Sequence, residues 1–340
     1  MSESARLLAP DFQNVGETEA AGVSVVLDEH LLTNPQRDMD YNGGGEITFS
    51  GARSNVRWLD HILGGIDRAL SIDDPAVVWP PRHALAVGLL IFTPGDLRAS
   101  EPVPGDRPYA SLFFVSGGRQ YVSAARSVVY DSSLTLGILG LAAAREVQVG
   151  LHDVTDSIRP QGWAHQVSAG GEPTARYSLA RQSLIDSWNA DWGSGDVKWT
   201  AAGSVGTITE GSVAVGIRWG RIASPWWTST PELNTYVQDP VPRAPSLPAD
   251  GPPEVFALLG ARFKLRVYDA FLEGQFRHSD LHYSMNGLNP GLGEAWAGVA
   301  FRTSSGFELR YMARWESPEL RFGIGSRSIV WGSLEVSKSF

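Results

Sequence analysis

Hydrophobic residues in this chain recur mostly at every second position. Residues 211–219 (GSVAVGIRW), 294–303 (EAWAGVAFRT) and 306–314 (GFELRYMAR) alternate apolar with small or polar residues. That period belongs to strands whose successive side chains point to opposite faces. The C-terminal run 330–340 does the same, with Val330, Gly332, Leu334, Val336, Lys338 and Phe340 sharing one face. Further runs at 22–29, 44–50, 83–92, 108–118, 127–136, 174–186, 196–207, 255–267 and 269–279 bring the expected strands to thirteen, mostly 8 to 12 residues long. A strand that crosses a bilayer needs roughly 9–11 residues, whereas strands of soluble domains average roughly 5 or 6.

Two stretches carry a helical period instead. Residues 56–70 put Trp58, Ile62, Ile66 and Leu70 on one face, interrupted by Gly64-Gly65, and the Ala-rich run 139–152 carries His152 near its C-terminal end. The Pro- and Ser-rich segment 223–254 reads as a long loop, as do 93–107 and 280–292, and Asp269-Ala270 reads as a short turn. Long strands joined by alternating long loops and short turns predict an all-β fold. The expected architecture is a closed antiparallel transmembrane β-barrel over residues 22–340, with one or two short helices near the lumen or active site. Residues 1–21 form an N-terminal extension. Bacterial barrels have even strand numbers, so one of the thirteen is misread or one is missing.

A soluble β-sandwich is the competing architecture. It suits the first 22 residues, MSESARLLAPDFQNVGETEAAG, which lack the basic start and apolar core of a secretory leader. Strand length argues against it, and so does Phe340, a terminal aromatic closing an alternating strand of the kind outer-membrane assembly recognises. No run approaches the roughly 18–20 apolar residues of a spanning helix.

Composition narrows the function. A net charge of −9 leaves no basic stripe for nucleic acid. The absence of Cys excludes disulfides and any Cys nucleophile or metal ligand. No Gly-x-Ser-x-Gly elbow occurs, which disfavours a serine hydrolase.

Short motifs in a fixed order carry more. They are Leu27-Asp28-Glu29-His30-Leu31, Asp38-Met39-Asp40-Tyr41-Asn42-Gly43-Gly44, Ile91-Phe92-Thr93-Pro94-Gly95-Asp96-Leu97 and Asp106-Arg107-Pro108-Tyr109-Ala110. Leu134 to Gly140, His152, Pro160-Gln161-Gly162-Trp163-Ala164-His165-Gln166 and Glu172-Pro173 follow. This succession resembles the lipid A 3-O-deacylase (LpxR-like) family of outer-membrane proteins across roughly residues 23–340. The resemblance implies a twelve-stranded barrel in the bacterial outer membrane, with an active site between the wall and a short helix near the outer face. It implies a Ca²⁺-dependent esterase that removes the 3-linked acyloxyacyl chain of lipid A, with lipopolysaccharide as partner.

Residue by residue, the resemblance assigns His152 as the catalytic histidine, with Asp28, Glu29 and Asn42 as further catalytic positions and Asp28 and Glu29 as Ca²⁺ ligands. Here the chain departs from the family. Asp28-Glu29 stands where the family has Asn-Asp, Asn42 stands where it has Thr, and no counterpart of a catalytic lysine can be placed. Neutral imidazole suits activation of water near pH 7, and Ca²⁺ takes hard oxygen ligands. As neighbours on a strand, however, Asp28 and Glu29 face opposite sides unless the strand is bulged.

Other candidates have blander readings. His278 and His282, four apart, could share a metal but read as solvated rim residues. Asp38 and Asp40 suit a turn, and Asp106-Arg107 an internal ion pair. Tyr109 and Trp163 read as packing or interfacial aromatics. A catalytically impaired barrel retained for lipopolysaccharide binding or envelope structure is the alternative function. A passive pore is the third, disfavoured because the helical segments and motif-rich first half suggest a filled lumen.

Overall fold

Twelve antiparallel strands close into a barrel in this computed structural model, in which β1 pairs with both β2 and β12. The structure describes residues 17–30, 39–74, 78–123, 127–155, 157–191, 193–234, 236–237 and 252–340. The first six strands are β1 (Gly22–Glu29), β2 (Asp40–Ser50), β3 (Arg82–Thr93), β4 (Ala110–Ser123), β5 (Val128–Leu139) and β6 (Glu172–Ala190). The others are β7 (Gly193–Gly206), β8 (Ile208–Arg221), β9 (Glu254–Asp269), β10 (Gly291–Arg302), β11 (Phe307–Glu316) and β12 (Ile329–Ser339). Among the described residues three short helices interrupt them: α1 (Arg57–Ala69), α2 (Ala143–Thr155) and α3 (Ala270–Glu273). Among the described residues no helix is long and apolar enough to cross a membrane.

The thirteenth expected strand, 269–279, does not form. Its alternation (Phe271, Glu273, Gln275) is overridden by a helix cap. The Asp269 carboxylate accepts from Phe271 N, and Glu273 reaches back to accept from Asp269 N, so the chain turns into α3. The expected Asp269-Ala270 turn is therefore the start of a long connection between β9 and β10. His278 and His282 accordingly share no strand. His278 lies exposed near Asp280 at 3.8 Å, and His282 Nδ1 pairs with Ser279 O.

β1 starts and β12 ends at one end of the barrel, the terminus end. The connections after β1, β3, β5, β7, β9 and β11 lie at the other, outer end. Strand alternation separates two surfaces. Outward positions carry Val25, Leu27, Ile47, Phe49, Val87, Val115, Val213, Val215, Leu259, Phe263, Val299 and Leu309, all exposed, as a lipid-facing belt requires. Inward positions carry charge. Glu294 receives Arg262, Lys264 and Arg314, Lys264 also reaches Glu316, and Arg218 is held by Asp196. A closed ring leaves no strand edge unpaired in lipid.

Among the described residues, chain from the β8–β9 connection enters the lumen, which disfavours the pore reading. The loop expected at 223–254 turns inward from the terminus end as far as it is described. Lys198 pairs with Glu232 and donates to Ser229 O, Arg262 donates to Glu232 O and Asn234 O, and Arg314 donates to Pro231 O. Tyr236 reaches the outer end, 4.5 Å from the Tyr41 ring and 4.9 Å from Phe92, with Trp331 at 6.0 Å. Irregular backbone is tolerated at membrane depth only where protein groups satisfy it, and the lumenal cations do that here.

Candidate active site

Both longer helices lie on the outside of the wall. Ala144 of α2 packs with Ile91, Leu97, Tyr109 and Trp163, bordered by Leu89 and Phe113. Leu89, Ile91 and Phe113 are outward positions of β3 and β4, in phase with exposed Val87 and Val115. α2 therefore lies against the outer face near the outer end. Its buried stripe is Ala144, Gln148 and His152, at helical spacing, while Val147, Leu151 and Val154 are exposed.

The Pro160–Trp163 corner holds this helix. Trp163 Nε1 donates to Gln148 Oε1 at 2.8 Å, one turn before His152, and the Trp163 ring packs on Tyr109 at 4.9 Å. A side chain at Gly162 would begin 2.6 Å from the Tyr109 ring and 3.0 Å from Ala99 O, so only glycine lets the corner approach. Gln161 N donates to Leu97 O, Val167 N to Tyr109 O, and Ser111 Oγ to Gln166 Oε1 at 2.9 Å. The motif reads as a clamp. Gly162→Ala is expected to cost about 1–3 kcal/mol through overpacking, seen as faster proteolysis of the outer loops with the barrel intact.

His152 is 4 % exposed, and its Nδ1 pairs with the carbonyl of Ile158. A carbonyl can only accept, so Nδ1 carries the proton in the neutral ring and Nε2 keeps the lone pair. At the tail of α2 an Arg159 fork on Asp153, at 2.7 Å through both nitrogens, holds that carboxyl below its usual range.

The remaining expected residues divide across the wall. Asp28 faces the lumen, where Oδ2 accepts from Tyr41 OH at 3.0 Å. Glu29, one residue on, faces outward, its carboxylate 2.9 Å from where a Gly43 side chain would begin. A register shift between Tyr41 and Gly43 makes Asn42 the bulged residue, with Nδ2 donating to Thr93 Oγ1 at 3.3 Å. Tyr41 pairs with lumenal Phe92, and Thr93 is the next residue along β3. Glu29 and Asn42 thus lie on the outer surface of β1 and β2, α2 lies on that of β3 and β4, and Asp28 faces the lumen. Among the described residues no group of three or more His, Asp or Glu side chains stands ready for a metal. The outer-face donors are nevertheless hard oxygens, as Ca²⁺ requires: one carboxylate, an amide and a hydroxyl.

The Asp106 and Arg107 side chains do not form the ion pair that the sequence suggested, although Arg107 N donates to Asp106 Oδ1 at 2.8 Å. Arg327 bridges Asp40 and Asp106 at 2.8 Å each, while Arg107 pairs with Glu319 and stacks on Phe92 at 4.2 Å. Burial disfavours the charge on Glu319, yet Arg107 and Arg266 hold its carboxyl down to about 2. Asp38 lies outside the described residues. Two contributors were not singled out in the sequence: Thr93, inside a quoted motif, and Gln148, four residues before His152.

A closed barrel with chain in its lumen and a histidine-bearing helix clamped to its outer wall defines a membrane-embedded protein. The family model described as "Outer membrane protein LpxR" matches residues 4–340, and the chain belongs to that family. It is a protein of the bacterial outer membrane, similar to lipid A deacylases. Its fold matches LpxR from Salmonella typhimurium with a TM-score of 0.71 at 11 % identity, covering 94 % of this chain and 100 % of that one. The β domain of the Bordetella autotransporter BrkA aligns with a TM-score of 0.42 at 12 % identity, covering 95 % of this chain and 99 % of that one. A search of curated protein sequences gives no match.

Proposed function

We propose that this chain hydrolyses the 3-O-linked acyloxyacyl ester of lipid A at the outer face of the membrane. One observation carries the reading. The buried stripe of α2 ends in a histidine whose Nδ1 is committed to a carbonyl, on the lipid side of the wall rather than in the lumen. An acyl ester of a membrane lipid reaches that side by lateral diffusion.

In this mechanism His152 Nε2 takes a proton from water as the hydroxyl oxygen bonds to the ester carbonyl carbon. The Asn42 amide donates to the developing oxyanion. Collapse breaks the bond to the sugar oxygen, which takes the proton back from His152, releasing the acid and a free 3-hydroxyl. Ca²⁺, implied by the resemblance, would be held by Glu29 and the Asn42 carbonyl and, when bound, would polarise the ester carbonyl. Asp28 has no part in this, because it bonds Tyr41 on the other side of the wall. Glu29→Ala is therefore expected to lower Ca²⁺-supported turnover at least tenfold, while Asp28→Asn keeps turnover within a few-fold. Equal losses from both would refute the division of the pair.

The test is direct. Folded protein in detergent with Ca²⁺ is incubated with hexa-acylated lipid A, and the products are read by mass spectrometry. Loss of one acyloxyacyl unit supports the reading. No product from folded, heat-modifiable protein favours the alternative, a barrel retained for lipopolysaccharide binding or envelope structure. The substitutions at Asp28, Glu29 and Asn42 motivate that alternative.

A further inference from the structure

We propose that α1 is a membrane-interfacial helix, lying flat on the outside of the barrel in the leaflet at the terminus end. Its apolar flank faces the acyl chains and its basic flank faces the phosphate headgroups. This rests on the barrel being membrane-embedded, not on the deacylase reading.

The helix sits on the lipid side of the wall. Leu59 and Leu63 pack with Leu134, bordered by Leu85, Leu136 and Tyr177, which are outward positions of β3, β5 and β6. Arg119 of β4 grips Asp60, and Tyr121 and Ser132 donate to Asp67 at 2.8 and 3.0 Å. Gln120, between Arg119 and Tyr121, points the other way, into the lumenal chain of Asp131, Gln182 and Lys198. The wall beneath α1 therefore presents an arginine, two tyrosines, a serine and His83 toward lipid. Asp60 and Asp67 of the helix satisfy them. Such polar groups on a lipid face are costly unless covered.

The helix also has a definite orientation. Its N-terminal half touches β3 and β4 through Asp60, and its C-terminal half touches β4, β5 and β6 through Asp67, so it runs across the strands. At 100° per residue three faces follow. Leu59, Leu63, Gly64 and Asp67 meet the wall and are buried. Trp58, Ile62, Ile66 and Ala69 form one flank, with Trp58 56 % and Ile62 47 % exposed. Arg57, His61 and Arg68 form the other flank, around an open recess shared with Ala52, Asn55, Asp60 and Arg119.

The wall contacts say which flank faces which way. Leu59 lies over Gly117, two residues nearer the outer end than Arg119, which meets Asp60. The Leu59 edge, and beyond it the Ile62 and Trp58 flank, thus faces the membrane interior and continues the exposed belt of Val87, Val115 and Ile138. The basic flank faces the terminus end. Apolar and cationic flanks separated along the membrane normal are what an in-plane helix requires.

The chain has no cysteine, so single labels are simple to place. Nitroxides on Trp58→Cys, Ile62→Cys, His61→Cys and Arg68→Cys are read in vesicles of phosphatidylethanolamine and phosphatidylglycerol. Power saturation compares collisions with oxygen against those with a water-soluble nickel chelate. All four positions face away from the wall, and heat-modifiability on a gel selects folded protein. The expected result is oxygen in excess at 58 and 62 and nickel in excess at 61 and 68. Nickel in excess at all four would overturn the proposal, leaving the flank in water for a soluble partner. Oxygen in excess at all four would overturn it too, because the helix would then lie inside the hydrocarbon core.

Discussion

Replacing His152 with alanine is expected to slow release of the acyloxyacyl chain by roughly 100- to 10,000-fold, the usual contribution of a positioned general base. The barrel should remain folded. His152 belongs to a helix clamped from elsewhere, by Trp163 on Gln148 and by Ala144 against Tyr109 and Ile91. The hydrogen bond of its Nδ1 to the Ile158 carbonyl is worth about 1 kcal/mol. Loss of activity without loss of heat-modifiability therefore separates chemistry from folding. A His152→Ala variant as active as the wild type would move the base elsewhere and leave the clamp as architecture alone. Detergent assays give the rate, and single-turnover product yields distinguish slowed chemistry from weakened lipid binding.

Much of the barrel was legible because alternation along a strand is a physical requirement of a wall with lipid on one side. Twelve of the expected runs became strands with small changes at their ends. The false one, 269–279, shows where periodicity misleads. Asp269 followed by Glu273 four residues on is a capping pattern, and local hydrogen bonds at a helix start outweigh an alternating string that has no neighbouring strand to join. The helical period at 56–70 was readable, but what its apolar stripe would touch was not. Trp58 and Ile62 look like core residues in a string of letters. They turn outward because the medium outside this wall is lipid, while Asp67, polar in the sequence, is fully buried.

For the candidate site residues, the sequence supplied the side chains but not their arrangement. Alternation alone said that Asp28 and Glu29 part company, and the structure keeps that rule because the bulge falls on the next strand, at Asn42. What local pattern could not supply was the direction of the loops. Nothing in Pro- and Ser-rich 223–254 says that its described part enters the lumen. The clue lay far away, in Lys198, Arg262 and Arg314, inward cations that donate to its carbonyls and to Glu232. The partners Arg107–Glu319 and Arg327–Asp40 are separated by more than two hundred positions, beyond the reach of any sequence window.

That last set of contacts yields the largest expected change in stability. Glu319 ties together three parts of the outer end of the barrel. It takes Arg107 from the β3–β4 connection, Arg266 from β9 at 2.6 Å, and the hydroxyl of Tyr236 from the lumenal segment at 3.1 Å. Arg266 keeps Glu210 and Asp269 when Glu319 is removed, whereas Arg107 keeps the face of Phe92. Glu319→Ala is thus expected to destabilise the protein by about 3–5 kcal/mol, as when one partner of a buried pair leaves the other charged and uncompensated. Urea unfolding in lipid vesicles measures it, and replacing Arg107 as well, by methionine, should recover part of the loss. The pH dependence has a fixed sign. The Glu319 carboxyl falls from 4.5 to about 2 in the folded protein despite its burial, so its contribution is complete above pH 4.5. It disappears as the pH drops through 2. Between those limits the wild type should lose stability more steeply than Glu319→Ala, and parallel curves would show that the Arg107–Glu319 pair contributes nothing to holding the outer loops over the barrel.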